Sequence, residues 1–165
     1  MCNRYFLPIL FISAVFILFS YKITVIARNS GPYAGGHGNL FSDGELRTFS
    51  FHARTFKNGI TRGNLVVKNR ELGIRVKAKI DCLDIIGNQA TMSGFITQVN
   101  GDDPSLIGDK IWFRVVDNGE GQRNKSDLIT LVIAELDEPG DPEDCEEDFE
   151  LELMNIFAGN IQVIP

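Results

Sequence analysis

The sequence predicts an all-β domain: an antiparallel β-barrel of about eight strands, with a β-sandwich as the alternative, preceded by one N-terminal hydrophobic helix. Three observations carry this. Beyond Glu45, apolar side chains recur at every second position through most segments. Turn formers, above all Gly beside Asn, Asp or Ser, separate those segments at short intervals. No stretch after residue 27 has the spacing of an amphipathic helix. Consecutive hairpins favour a meandering barrel, and closure would remove exposed sheet edges.

Residues 1–27 stand apart. Arg4 precedes an apolar run from Tyr5 to Tyr21, Lys22 and a second short apolar run follow, and no acid occurs before Asp43. This reads as a signal peptide, cut after "VIA", or as a membrane anchor through residues 5–27. Either reading places the remainder outside the cytoplasm, secreted or tethered at the extracytoplasmic side. Residues 28–43 are Gly-rich and polar and read as a linker with room for a short first strand, the linker being placed at 28–37 and the β domain at 38–165.

Within that domain, "ELRTFSFHA" puts Phe49, Phe51 and Ala53 on one face, and Thr48, Ser50 and His52 on the other. Asn58-Gly59 then predicts a type I′ hairpin turn, which needs positive φ at both central residues. "NLVVKN" returns. In "GIRVKAKIDC", Ile74, Val76, Ala78, Ile80 and Cys82 share a core face, while Arg75, Lys77, Lys79 and Asp81 share the solvent face. "LDIIGNQATMSGFITQV" reads as strand, Gly87-Asn88 turn, strand. "KIWFRVV" and "DLITLVIAE" are further strands, and "FELELMNIF" and "GNIQVIP" close the chain.

Cysteine count agrees with export. Apart from Cys2, only Cys82 and Cys145 remain, and an even pair in an oxidising compartment predicts a Cys82–Cys145 disulfide. On the chain-entropy model such a bridge contributes about 4 kcal/mol. Two cysteines are too few for a structural zinc site.

The full chain has a net charge of −6. The acids are uneven: residues 135–152, "ELDEPGDPEDCEEDFELE", hold 11 of the 22 and no base. No basic stripe is evident along the sequence, which argues against nucleic acid as a partner.

Few residues carry chemistry. In "VVDNGEGQRNKSD", Asp117, Asn118, Glu120 and Asp127 offer oxygens of the kind calcium takes. Their spacing is not that of an EF-hand, and turn chemistry explains each of them, so calcium is the weaker reading. The acidic 135–152 segment reads as a solvated loop, with calcium again the weaker alternative. His37 and His52 lack the motifs that would make a hydrolase of them, and the P-loop pattern is absent. No catalytic, cofactor-binding or metal residue is therefore expected, and no cofactor.

Several segments together, "ELRTFSF", "CLDIIGNQA", "VVDNGEG" and "GNIQV", resemble a family of small exported β-rich domains of uncharacterised function. The resemblance spans residues 38–163 in the same order. It implies an exported β domain with a second cysteine late in the chain, and no established activity or site residues. The acidic 135–152 segment departs from it. The sequence thus reads as a non-catalytic extracytoplasmic interaction or structural module. The alternative is a carrier for a small apolar ligand, or an enzyme, using the barrel interior. Its partner is unidentified, and both a protein and a small apolar ligand fit the sequence.

Overall fold

The structure, a computed structural model, describes residues 31–101, 104–119, 126–130, 133–134, 144–147 and 150–165. The hydrophobic 1–27 segment, Glu120 and most of the acidic 135–152 stretch lie outside the described residues. Among those described, no helix is long and apolar enough to cross a membrane.

The strands are β1 (Tyr33–Ser42), β2 (Glu45–Thr55), β3 (Thr61–Asn69), β4 (Ile74–Ile86), β5 (Gln89–Asn100), β6 (Lys110–Val116), β7 (Leu128–Thr130), β8 (Ile133–Ala134), β9 (Leu153–Asn155) and β10 (Ala158–Ile164). A short 3₁₀ turn, Pro104–Leu106, precedes β6. All pairings are antiparallel. They form one sheet in the order β10-β1-β2-β3-β4-β5-β6-β7-β9, with β8 also beside β6. The architecture is a single sheet curled into a half-barrel, not two stacked sheets.

Alternation fills the inside of the curl. Phe49, Phe51 and Ala53 of β2 face Leu65 of β3, Ala78 and Ile80 of β4, Met92 and Ile96 of β5, and Ile111, Phe113 and Val115 of β6 in one buried cluster. Phe51 meets Phe113 edge to face, with ring centroids 5.5 Å apart. Such geometry suits the aromatic quadrupoles. The tight curl depends on glycine at two points. A Cβ on Gly63 would sit 2.2 Å from the His52 carbonyl oxygen, and one on Gly94 would sit 1.9 Å from that of Lys79. Both glycines pair with Ile80, so the two close approaches lie in one row of the sheet.

Three local expectations are corrected. Tyr33–His37, in the stretch read as linker, belong to β1. The β1–β2 hairpin is the one with positive φ at both turn residues, Asp43 at 55° and Gly44 at 82°. At Asn58-Gly59 only Gly59 has positive φ. The β2–β3 connection is a five-residue loop closed by Phe56 N–H to Ile60 O, 2.9 Å. The difference matters because a two-residue turn would shift the register by one and send Leu65 to the wrong face. As formed, Leu65 lies opposite Phe51.

Cys82 is the third correction. The β4–β5 register shifts between Ile80 and Cys82. This bulge reverses the alternation. Leu83 and Ile85, opposite Met92 and Ala90, pack on the core, while Cys82 pairs with Ser93 on the outer face. The Cys82–Cys145 disulfide is formed across 63 positions, with a Cα–Cα distance of 5.7 Å. It therefore holds Cys145 against the outside of the sheet. Ser93 in turn pairs with Trp112, which is fully buried yet lies apart from the inner core cluster.

Candidate functional site

Residues 117–119 and 126–127 sit where the two ends of the sheet meet. β9 borders β7 at one end, β10 borders β1 at the other, and only Ile156 and Phe157 separate them in the chain. At this junction Ile156 N–H donates to Asp127 O and Phe157 N–H to Asn39 O, each at 3.0 Å. Beyond it β10 has β1 on one edge, and two carboxylates serve the other. Asp127 Oδ2 accepts the Ile161 N–H at 2.8 Å, and Asp117 Oδ2 accepts the Val163 N–H at 3.0 Å.

The second oxygen of each acid holds the loop itself. Asp127 Oδ1 accepts the Asn118 N–H at 2.9 Å, and Asp117 Oδ1 accepts the Gly119 N–H at 2.8 Å. The Asn118 side-chain amide donates to Ser126 O at 2.7 Å. Of the four residues that suggested calcium, Asp117, Asn118 and Asp127 thus come together at one seam, and Glu120 lies outside the described residues. All four described carboxylate oxygens accept backbone N–H groups. Satisfied donors at a strand edge are what a buried edge demands, and these acids meet that need. No cluster of His, Cys, Asp and Glu suited to a metal occurs among the described residues.

Neither histidine is paired with a carboxylate among the described residues. His37 is exposed in β1, opposite Ser50 and Asn160. His52 is exposed in β2, with Nε2 within 3.4 Å of the Asn64 amide.

A groove of about 1060 Å³ lies on the outer face. It crosses β1 to β5, opposite the face that carries the core. Register fixes its lining. Tyr33, Arg54 and Arg62 form one row across β1, β2 and β3. His52, Asn64, Lys79 and Phe95 form the next, across β2 to β5. Arg54 stacks over the Tyr33 ring at 5.1 Å from its centroid. Phe56 and Phe95 line the groove at 48% and 45% exposure, whereas Phe49 and Phe51 of β2 and Phe113 of β6 are almost completely buried.

Arg54 and Arg62 stand directly opposite each other in the β2–β3 ladder. Like charges in that relation repel and destabilise the pair. No ion pair to Arg54, Arg62 or Lys79 forms among the described residues; the two that do form both engage Arg47. Asp81 also lines the groove. The groove is therefore cationic and aromatic, and its side chains other than Phe56 stand on strands.

Sequence reasoning missed this groove. His52 and Lys79 were legible as solvent-facing, because they belong to the outward half of the alternation. What brings the lining residues together is the five-strand register, which no single segment contains. Compared with known proteins, the chain matches no family model, no curated protein and no solved structure.

Proposed function

We propose that the chain is an exported, non-catalytic interaction module that binds its partner through the outer groove over β1–β5, and not through the inside of the curl. The observation that carries this reading is the contrast between the two faces. The inner face is filled by its own side chains: Phe49, Phe51, Leu65, Met92, Ile111 and Phe113 are each no more than 5% exposed. Packing of that kind leaves no room for the apolar ligand of a carrier. The outer face offers a groove with exposed aromatic rings and with cations that form no ion pair among the described residues.

Export is supported by the N-terminal apolar segment and by the disulfide. The finer architecture proposed is a closed barrel, its seam completed by Asp117 and Asp127 in place of a full strand ladder. The resemblance to small exported β-rich domains fits the same picture.

The test is a binding screen of the full-length chain on arrays of oligosaccharides, peptides and lipids. Two variants accompany it, Arg62→Glu in the groove and Met92→Leu in the core. Signals lost with Arg62→Glu and kept with Met92→Leu are expected. Binding of apolar ligands that is altered by Met92→Leu and indifferent to Arg62→Glu would overturn the reading in favour of the interior.

A further inference from the structure

The groove's chemistry narrows the partner, granted the reading above that the groove is the binding face. We propose that it takes an anionic oligosaccharide, one whose rings carry carboxylate or sulfate groups. Three observations converge on this class.

The first is charge. Arg54 and Arg62 are juxtaposed with no ion pair to either among the described residues, Lys79 stands in the adjacent row, and Asp81 is the single acid in the described lining, against three cations. An anion bound between the two guanidinium groups would turn their repulsion into two charge-assisted hydrogen bonds, and the planar fork of Arg suits carboxylate and sulfate oxygens.

The second is the pairing of those cations with flat apolar surface. Phe95 directly neighbours Lys79 across the β4–β5 ladder, and Phe56 also lines the groove. A ligand that presents both anionic groups and apolar ring faces uses both. Asn64, Thr61 and Thr97 add neutral hydrogen-bonding side chains to the lining, which hydroxyl groups require and a simple anion does not.

The third separates sugar from peptide. An acidic peptide in extended form gains most of its affinity by adding to a free sheet edge. The groove crosses five strands, each of which is flanked by a strand on both sides. No free edge is offered there, so recognition falls to side chains alone. A helical peptide needs a continuous apolar trough, and here the centre is cationic. The volume, about 1060 Å³, is at the upper limit of small-molecule sites and suits several linked rings.

Calorimetry with the full-length chain in non-ionic detergent tests the proposal. The probes are a hexamer of galacturonic acid, a heparin hexasaccharide, neutral maltohexaose and a decaglutamate peptide. Saturable one-to-one binding of at least one anionic hexasaccharide is expected, with maltohexaose silent and decaglutamate at least tenfold weaker. The preferred hexasaccharide tells carboxylate from sulfate recognition. Arg62→Gln should weaken that binding about ten- to a hundredfold, the scale of a charged hydrogen bond. Phe95→Ser should weaken it about tenfold, the scale of an aromatic contact with its buried area. Unchanged melting temperatures in both variants show that the fold is kept. Decaglutamate binding as tightly as the sugars would overturn the oligosaccharide assignment and leave the groove as a binding face. Silence from all four probes, or sugar binding indifferent to both variants, would overturn the assignment. A screen in which Arg62→Glu changes nothing would remove the groove itself.

Discussion

Replacing Asp127 with alanine removes two acceptors from the seam at once. Asp127 is 7% exposed, and its carboxylate accepts the N–H groups of Ile161 and Asn118 at 2.8 and 2.9 Å. Alanine leaves both donors without that partner. An orphaned buried N–H costs about 1–3 kcal/mol. The Ile161 site is buried and belongs at the upper end; the Asn118 site is half-buried, where water can substitute, and belongs at the lower. The expected loss is about 3–4 kcal/mol, a large share of the roughly 5–15 kcal/mol of a typical domain. It corresponds to a melting temperature lower by about 10 °C. Asp127→Asn keeps one acceptor oxygen and should lose about half as much. Urea unfolding of the full-length chain, followed by its single tryptophan, measures the loss. Hydrogen exchange localises it: the Ile161 amide should be protected in the wild type and exposed in the alanine variant. A loss under about 1 kcal/mol, or unchanged exchange at Ile161, would refute the claim that this carboxylate holds the seam.

Other perturbations have distinct expected outcomes. Reducing the Cys82–Cys145 bridge should lower stability by about 4 kcal/mol on the chain-entropy model. It should also red-shift the emission of Trp112, which lies two strands from Cys82 on the outer face and is buried; an unshifted spectrum would mean that the bridged segment does not shield it. Gly94→Ala forces a methyl group against the Lys79 carbonyl and should cost about 3 kcal/mol or more by urea unfolding, whereas the same change at Gly63 tests the neighbouring bend. Millimolar calcium should leave the melting temperature unchanged, because the carboxylates of Asp117 and Asp127 already serve backbone donors; a rise of several degrees would reveal a stabilising site.

The parts of this fold legible in the sequence are those governed by local alternation. Phe49, Phe51 and Ala53 declare the buried face of β2, as Val76, Ala78 and Ile80 do for β4. β1 was legible only as a short strand of unplaced bounds because Gly35, Gly36 and Gly38 carry no side chain to alternate, although its hairpin partner was plain. Cys82 was placed on the wrong face because a bulge adds one residue, and a period of two cannot survive that. The bridge itself was still predicted, since only two cysteines were free to pair. Asp117 and Asp127 looked like ligands or turn formers because their partners, Val163 and Ile161, are 46 and 34 residues away. The groove was hidden for a related reason. Arg54 opposite Arg62 depends on the loop at 56–60 having five residues, and a two-residue turn would have separated them.

The measurement closest to the central claim is a nuclear magnetic resonance titration of the full-length chain with the galacturonic acid and heparin hexasaccharides. The account predicts shifts at Arg54, Arg62, Asn64, Lys79 and Phe95 with at least one of them, while the methyl signals of Leu65, Met92 and Ile111 stay in place. Shifts concentrated on those interior methyl groups, or no shift with either sugar, would contradict it.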